Sequence, residues 1–254
     1  MVETGRSIIV EDVEFRSEGN LLKGRSYRPQ AEGRYPSVAI CHGYPGDTKH
    51  MDVAEEMALN GIAVLIFYYQ GAWGSEGVFR FSNLHPSTRD ALDYLRSQPY
   101  VNPSRTGIIS YSMGAIPAVQ QLKHDESLKT GILISPVSDT NIWLTAVDID
   151  YLMMSFVSQA SGKLNTGDSE EYKRDLMDVI KEINPIANIS DVSVPLLIIA
   201  GSRDTIVPPE MAHLLYEAAN EPRKWVQVEG ADHGYSDHRT QLYEAVLDWL
   251  IKYL

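Results

Sequence analysis

Ile108-Ile109-Ser110-Tyr111-Ser112-Met113-Gly114-Ala115 is the stretch on which the reading of this chain turns. An apolar run stops in a small-x-Ser-x-Gly sequence, and a helical pattern follows. That is the pattern of a nucleophile elbow, a strand-to-helix turn tight enough to push its serine into the open. Such a turn leaves no room for bulk two residues either side of the nucleophile. Around Ser112 those positions hold Ser110 and Gly114; around Ser110 they hold Ile108 and Ser112. A β-branched isoleucine would clash there, so Ser112 is the candidate nucleophile. An ordinary loop with a serine N-cap has the same five residues, and the rest of the chain must decide.

Upstream, residues 7–17 and 20–29 read as two strands joined at Glu18-Gly19, and 37–41 is a continuous apolar run suited to a buried parallel strand. A helical segment at about 51–60 closes on Gly61 and leads to a strand at 62–68. Residues 86–98 carry Ala91, Leu92 and Leu95 at helical spacing, ahead of a strand at 106–109. The helix after the elbow reaches about Lys123. Further strands read at 131–135, 194–200 and 225–228, and a closing helix at about 239–253. This alternation predicts a mostly parallel sheet covered by helices on both faces. Residues 137–189 break the rhythm, with helical patterning and no strand, over a length too great for one crossover. They are expected to form an inserted helical cap on a core of 1–136 and 190–254. The other option is an elongated crossover helix packed wholly in the core.

The chain has 254 residues, 44% of them apolar and 22% charged, which fits a globular protein with a sizeable core. A net charge of −12 and a pI near 5.0 argue against nucleic acid and anionic membrane as partners. A lone cysteine, Cys41, excludes an internal disulfide and fits a reducing compartment. The first six residues have no apolar signal core, and no apolar run approaches bilayer length. A cytoplasmic location is the expectation, and the oligomeric state, homodimer included, stays open.

A serine hydroxyl needs a base within hydrogen-bond reach, itself oriented by a carboxylate. Of seven histidines, His233 in Gly230-Ala231-Asp232-His233-Gly234 lies after the last strand and before the last helix. His238 sits near the start of that helix. His124 and His213 fall on helices, His50 and His85 at loop-helix junctions with no matching acid, and His42 reads as loop-shaping. For the acid, Asp204 lies in Gly201-Ser202-Arg203-Asp204 after the strand at 194–200. Asp191 precedes that strand, at the wrong end of the sheet, and Asp232 is adjacent to His233 and badly placed to orient it. His42-Gly43-Tyr44-Pro45-Gly46 directly follows a strand, so the amides of Tyr44 and Met113 are the candidate oxyanion donors. Cys41, on a buried strand, reads as inert.

With these pieces the chain resembles the α/β-hydrolase superfamily from about residue 37 to the C-terminus. The nearest branch holds dienelactone-hydrolase-like proteins, cinnamoyl and feruloyl esterases, and the catalytic domains of prolyl-oligopeptidase-type peptidases. The likeness is carried by His42-Gly43-Tyr44-Pro45-Gly46, Gly71-Ala72-Trp73-Gly74-Ser75-Glu76-Gly77, Ala91-Leu92-Asp93-Tyr94-Leu95, the run from Val194 to Asp204, and the loop at His233. It implies an α/β-hydrolase fold, with serine, acid and histidine falling on Ser112, Asp204 and His233 and no metal or organic cofactor. Ser110 replaces the usual first glycine of the elbow, and Gln70 stands where relatives often have arginine. The absence of a β-propeller in this sequence leans toward an esterase of small to medium carboxylic esters, with a peptidase or amidase, or a silent binding module, as alternatives. Trp143, Tyr151, Met153, Met154 and Phe156, with Trp73, are candidates for an apolar substrate pocket; the cap's own packing core explains the first five equally well.

Overall fold

The computed structural model describes residues 7–46, 51–145 and 148–254. His50 and residues 1–6 lie outside the described residues.

β1 (Ile8–Ser17) and β2 (Asn20–Pro29) form an antiparallel hairpin, and β2 pairs antiparallel with β4 (Ala63–Phe67). From there the sheet is parallel through β3 (Tyr35–Cys41), β5 (Val101–Tyr111), β6 (Gly131–Ile134), β7 (Leu196–Gly201) and β8 (Arg223–Val228). The described strands make one eight-stranded sheet in the order β1-β2-β4-β3-β5-β6-β7-β8. Strand β5 begins earlier than the apolar run suggests, because Pro103, Ser104 and Arg105 are solvent-exposed and separate the buried Val101 from the apolar run.

Two apolar clusters sandwich the sheet, as expected when parallel strands are buried on both faces. Ala39 and Cys41 of β3 face one cluster with Leu92 of α2 (Leu84–Ser97), Ile116 and Val119 of α3 (Ala115–His124) and Leu215 of α8 (Pro209–Ala218). Val38 and Ile40 face the other, with Val53 and Met57 of α1 (Met51–Leu59) and Leu242, Val246 and Leu250 of α9 (Arg239–Tyr253). Between β6 and β7 the chain runs through α4 (Ile142–Thr145), α5 (Ile149–Ala160), α6 (Ser169–Val179) and α7 (Pro185–Asn188). This segment is stitched to the loop after β4 by Trp73 N–H on the Lys163 carbonyl (2.8 Å) and Asn165 N–H on the Gly71 carbonyl (2.7 Å).

The parallel register aligns the C-terminal strand ends: Cys41 stands opposite Ser110, Tyr111 opposite Ile134, and Gly201 opposite Val228. Loops leaving those ends therefore emerge side by side, where ligands bind in open α/β sheets. Two glycines allow close approaches at this edge. A Cβ on Gly114 would lie 2.2 Å from the Cys41 carbonyl oxygen, and one on Gly201 2.5 Å from that of Ala231. Gly114→Ala should therefore cost about 1–3 kcal/mol through forced backbone movement. Thermal melting checks this; an unchanged Tm would mean that the two segments do not meet so closely.

Candidate active site

Ser112 follows β5 without a break and opens a 3-10 turn, Ser112–Gly114, that runs into α3. Its φ of +51° lies in the left-handed region, rare for a non-glycine residue and a mark of strain retained at functional sites. Ser110, its competitor in the sequence, is fully buried in β5. Ser112 instead lines a small cavity of about 100 Å³ together with Gly43, Tyr44, Ser135 and His233. The amide of Met113 belongs to the first turn of a helical run, where N–H groups have no acceptor within the helix.

Asp204 and His233 are in contact. His233 Nδ1 and Asp204 Oδ2 are 2.7 Å apart, while Asp204 Oδ1 accepts from the amides of Ile206 and Val207, both at 2.9 Å. Because an ionised carboxylate only accepts, Nδ1 of His233 carries the proton in this bond. Burial by itself would raise the Asp204 pKa. The hydrogen bond and charge of His233 and the Val207 amide outweigh it, and the carboxyl is held below its ordinary 3.8. The rejected acids are engaged elsewhere: Asp191 pairs with Lys123 at 2.7 Å, and Asp232 accepts from Ser236 N and Oγ, both at 3.0 Å. His124 and His213 are exposed on helices, and His238 stands at the N-cap position of α9 without a side-chain capping bond.

His42 and Cys41 are buried beneath the site. His42 Nδ1 bonds the Gly43 carbonyl at 2.7 Å, and desolvation pulls its pKa down to about 4 despite that bond. Desolvation also pushes the Cys41 thiol up to about 12, against the lowering effect of Thr88. Neither is charged at neutral pH. The Tyr44 phenol donates to the Phe156 carbonyl of α5 at 2.7 Å and receives the Tyr172 hydroxyl of α6 at 3.3 Å. Trp73 Nε1 donates to the Pro45 carbonyl at 2.9 Å.

A second cavity, of about 300 Å³, adjoins Ser112. Trp143 and Phe156 line it with Tyr44 and Met113, as do Val137, Ile206, Val207 and Met211, which the sequence reading passed over. Most of these missed residues sit one to seven positions beyond strand ends at the C-terminal edge, the signal that would have found them. Four expected pocket residues do not line it. Tyr151 and Met154 are 69% and 72% exposed, since α5 turns Leu152, Met153 and Phe156 inward at helical spacing and these two outward. Neither this cavity nor the core takes them. Met153 is core, and Met153 and Met154 also border a separate groove between α5 and α6. Trp73 packs against Tyr68 and pins Pro45.

A model of the prolyl oligopeptidase family matches residues 87–254, and one of the X-Pro dipeptidyl-peptidase (S15) family matches residues 18–148. The chain belongs to the prolyl oligopeptidase family. It is a hydrolase of the α/β-hydrolase superfamily. A Mycobacterium tuberculosis protein described as uncharacterized is 30% identical over 235 residues, 92% of this chain and 74% of its own length. Est1E from Butyrivibrio proteoclasticus, solved with ferulic acid, has a TM-score of 0.74 at 19% identity over 95% of this chain and 98% of that one. The acylaminoacyl peptidase of Pyrococcus horikoshii has a TM-score of 0.69 at 18% identity, over 98% of this chain and 42% of that one. Among the described residues of this family member, no helix is long and apolar enough to cross a membrane.

The buried His42 predicts acid sensitivity. Its folded pKa of about 4 lies below the ordinary 6.5, so the unfolded chain binds the extra proton first. Stability is full above 6.5 and falls as pH drops toward 4, by about 3 kcal/mol from this residue. Asp204, also depressed, adds a loss in the same direction below about 4. A Tm profile should slope across pH 4–6.5 in the wild type and flatten there in His42→Gln; a flat wild-type profile would refute the assignment.

Proposed function

We propose that this hydrolase is a serine esterase acting on small to medium, uncharged carboxylic esters through an acyl-enzyme. Ser112 Oγ attacks the ester carbonyl and gives its proton to His233 Nε2, while Asp204 holds Nδ1–H and stabilises the imidazolium. The developing oxyanion accepts from the Tyr44 and Met113 amides. His233 then protonates the departing alkoxide, and water activated by the same ring releases the acid. The observation that carries this reading is the 2.7 Å His233–Asp204 bond at the rim of the cavity that Ser112 lines.

The substrate class is supported by the neighbouring cavity, of a size at the lower end for small-molecule sites. Among the described residues its walls are apolar apart from Tyr44, Ser112, Trp143 and Gln159, and none carries a charge. A peptide with a free amino terminus would bury a cation there without a partner. The ferulic acid held by Est1E makes an aromatic acyl group the first one to try. An amide or peptide is the second reading, favoured by the family match to peptidases. Residues 137–189 are read as a cap on a core of 1–136 and 190–254.

Fluorophosphonate labelling with peptide mapping should give a single adduct on Ser112. Turnover of p-nitrophenyl and feruloyl esters should exceed that of short peptides, and the reverse order would move the second reading to the front. Ser112→Ala should lower kcat on the order of 10⁶-fold and Asp204→Asn roughly 10⁴-fold, as in other triads. Near-normal turnover of the Ser112→Ala protein would sink the assignment.

A further inference from the structure

Arg239 opens α9 and has no part in the triad mechanism above. The positive end of the helix dipole opposes a cation at that place, so helix stability does not explain the residue. Its side chain is 18% exposed and forms a two-pronged ion pair with Asp52 in the first turn of α1. Nε donates to Asp52 Oδ2 at 2.7 Å, and Nη2 donates to Oδ1. Tyr243, one turn along α9, donates its phenol to Oδ2 and sets its ring centre 5.5 Å from the guanidinium carbon. A third prong reaches the loop that carries His233: Nη1 donates to the Gly234 carbonyl at 3.0 Å. Gly234 directly follows His233, and both line the cavity that Ser112 shares.

Ahead of His233 the loop is tied to the segment after β7. Arg203 N–H donates to the Ala231 carbonyl at 2.9 Å, and Gly230 N–H to Ser202 Oγ at 2.8 Å. Beyond His233, the bonds of Ser236 return to Asp232 inside the same loop. The Arg239 fork reaches out of it, to the helix that follows the loop of residues 42–46 in the chain. Charge-assisted contacts at two points between a planar guanidinium and a carboxylate fix orientation as well as distance. With Nε and Nη2 engaged on Asp52, the direction of Nη1 is set. We propose that Arg239, oriented by Asp52, is a positioning residue that fixes the backbone at Gly234 and with it the reach of the His233 ring to Ser112. The proposal rests on the triad reading of Ser112, His233 and Asp204. It also accounts for a cation at the start of α9, since the charge serves the loop before the helix and not the helix itself.

Arg239→Ala removes all three prongs, whereas Asp52→Asn keeps the shape of the partner and loses the charge that orients the fork. A displaced His233 is a poorer base for Ser112, while the larger cavity, whose described walls include neither Arg239 nor Asp52, keeps its shape. We expect Arg239→Ala to lower kcat for a p-nitrophenyl ester about 10- to 100-fold with KM unchanged, the scale of a small misplacement of a catalytic group. The rate of fluorophosphonate labelling at Ser112, which needs no substrate, should fall by a similar factor. Asp52→Asn should move both readouts in the same direction by less. The double variant should be no slower than Arg239→Ala alone, because the two residues act as one unit.

Unchanged kcat and labelling rate in a folded Arg239→Ala protein overturn the proposal, as does a change in KM alone. A loss in the double variant equal to the product of the single losses overturns the part given to Asp52. Should Arg239→Ala fail to fold, Asp52→Asn and Arg239→Lys decide. An ammonium keeps the charge without the planar fork, and unmoved kcat in both variants overturns the proposal. Fluorophosphonate labelling of the wild type separates the two levels. A labelled Ser112 with unmoved variants sinks the Arg239 clamp alone, whereas an unlabelled Ser112 sinks the triad reading and the clamp with it.

Discussion

The site depends on one backbone-to-backbone contact, the packing of the first turn of α3 against the end of β3. With only 2.2 Å between the position a Cβ would occupy on Gly114 and the Cys41 carbonyl oxygen, nothing but glycine fits. That approach forces the chain to leave β5 and enter α3 within a single 3-10 turn, and Ser112 takes up the geometric demand with its φ of +51°. The same contact brings Gly43 and Tyr44 against Ser112, because they are the residues that follow Cys41. A second contact of the same kind, Gly201 on the Ala231 carbonyl, draws the loop carrying Asp204 against the loop carrying His233.

Low dielectric acts on three ionisable side chains around this point, with results set by what each one touches. Cys41 and His42 lack enough compensation, so desolvation keeps the thiol protonated and the imidazole neutral. Asp204 is also buried, though less deeply, and stays ionised because donors converge on both of its oxygens. A buried negative charge next to His233 is thereby preserved, and two neighbours that would compete with it electrostatically are silent. What separates these groups is the set of hydrogen-bond partners suited to the charged form, donors for the carboxylate and thiolate and acceptors for the imidazolium.

The loop after β3, proposed to hold the oxyanion, is not shaped by the core strands alone. Tyr44 hangs from α5 and α6 through its phenol, and Pro45 hangs from Trp73, whose own amide is bonded to Lys163. Residues of the 137–189 segment therefore fix the loop from one side while β3 fixes it from the other. The walls of the larger cavity come from the same segment through Trp143 and Phe156, so the proposed acyl pocket and the proposed oxyanion donors share a support.

The sequence by itself determined the strand and helix order, the position of the elbow, and the short list of groups with the chemistry to serve it. Each of these is written locally: small residues flank Ser112 because the turn excludes bulk, and apolar runs mark strands buried on both faces. The start of β5 was illegible for the complementary reason, since the exposed Pro103, Ser104 and Arg105 interrupt the apolar pattern. Only the tertiary structure decided which side chains share space. The rotation of α5 about its axis, set by packing on Phe81 and Tyr44, turned Phe156 to the cavity and Tyr151 and Met154 to solvent. Ser135 and Tyr235 are a hundred residues apart in the chain, and only the fold brings their hydroxyls to 3.1 Å from each other. Residue type and spacing record what a segment can bury. They carry no record of which distant segment it will meet.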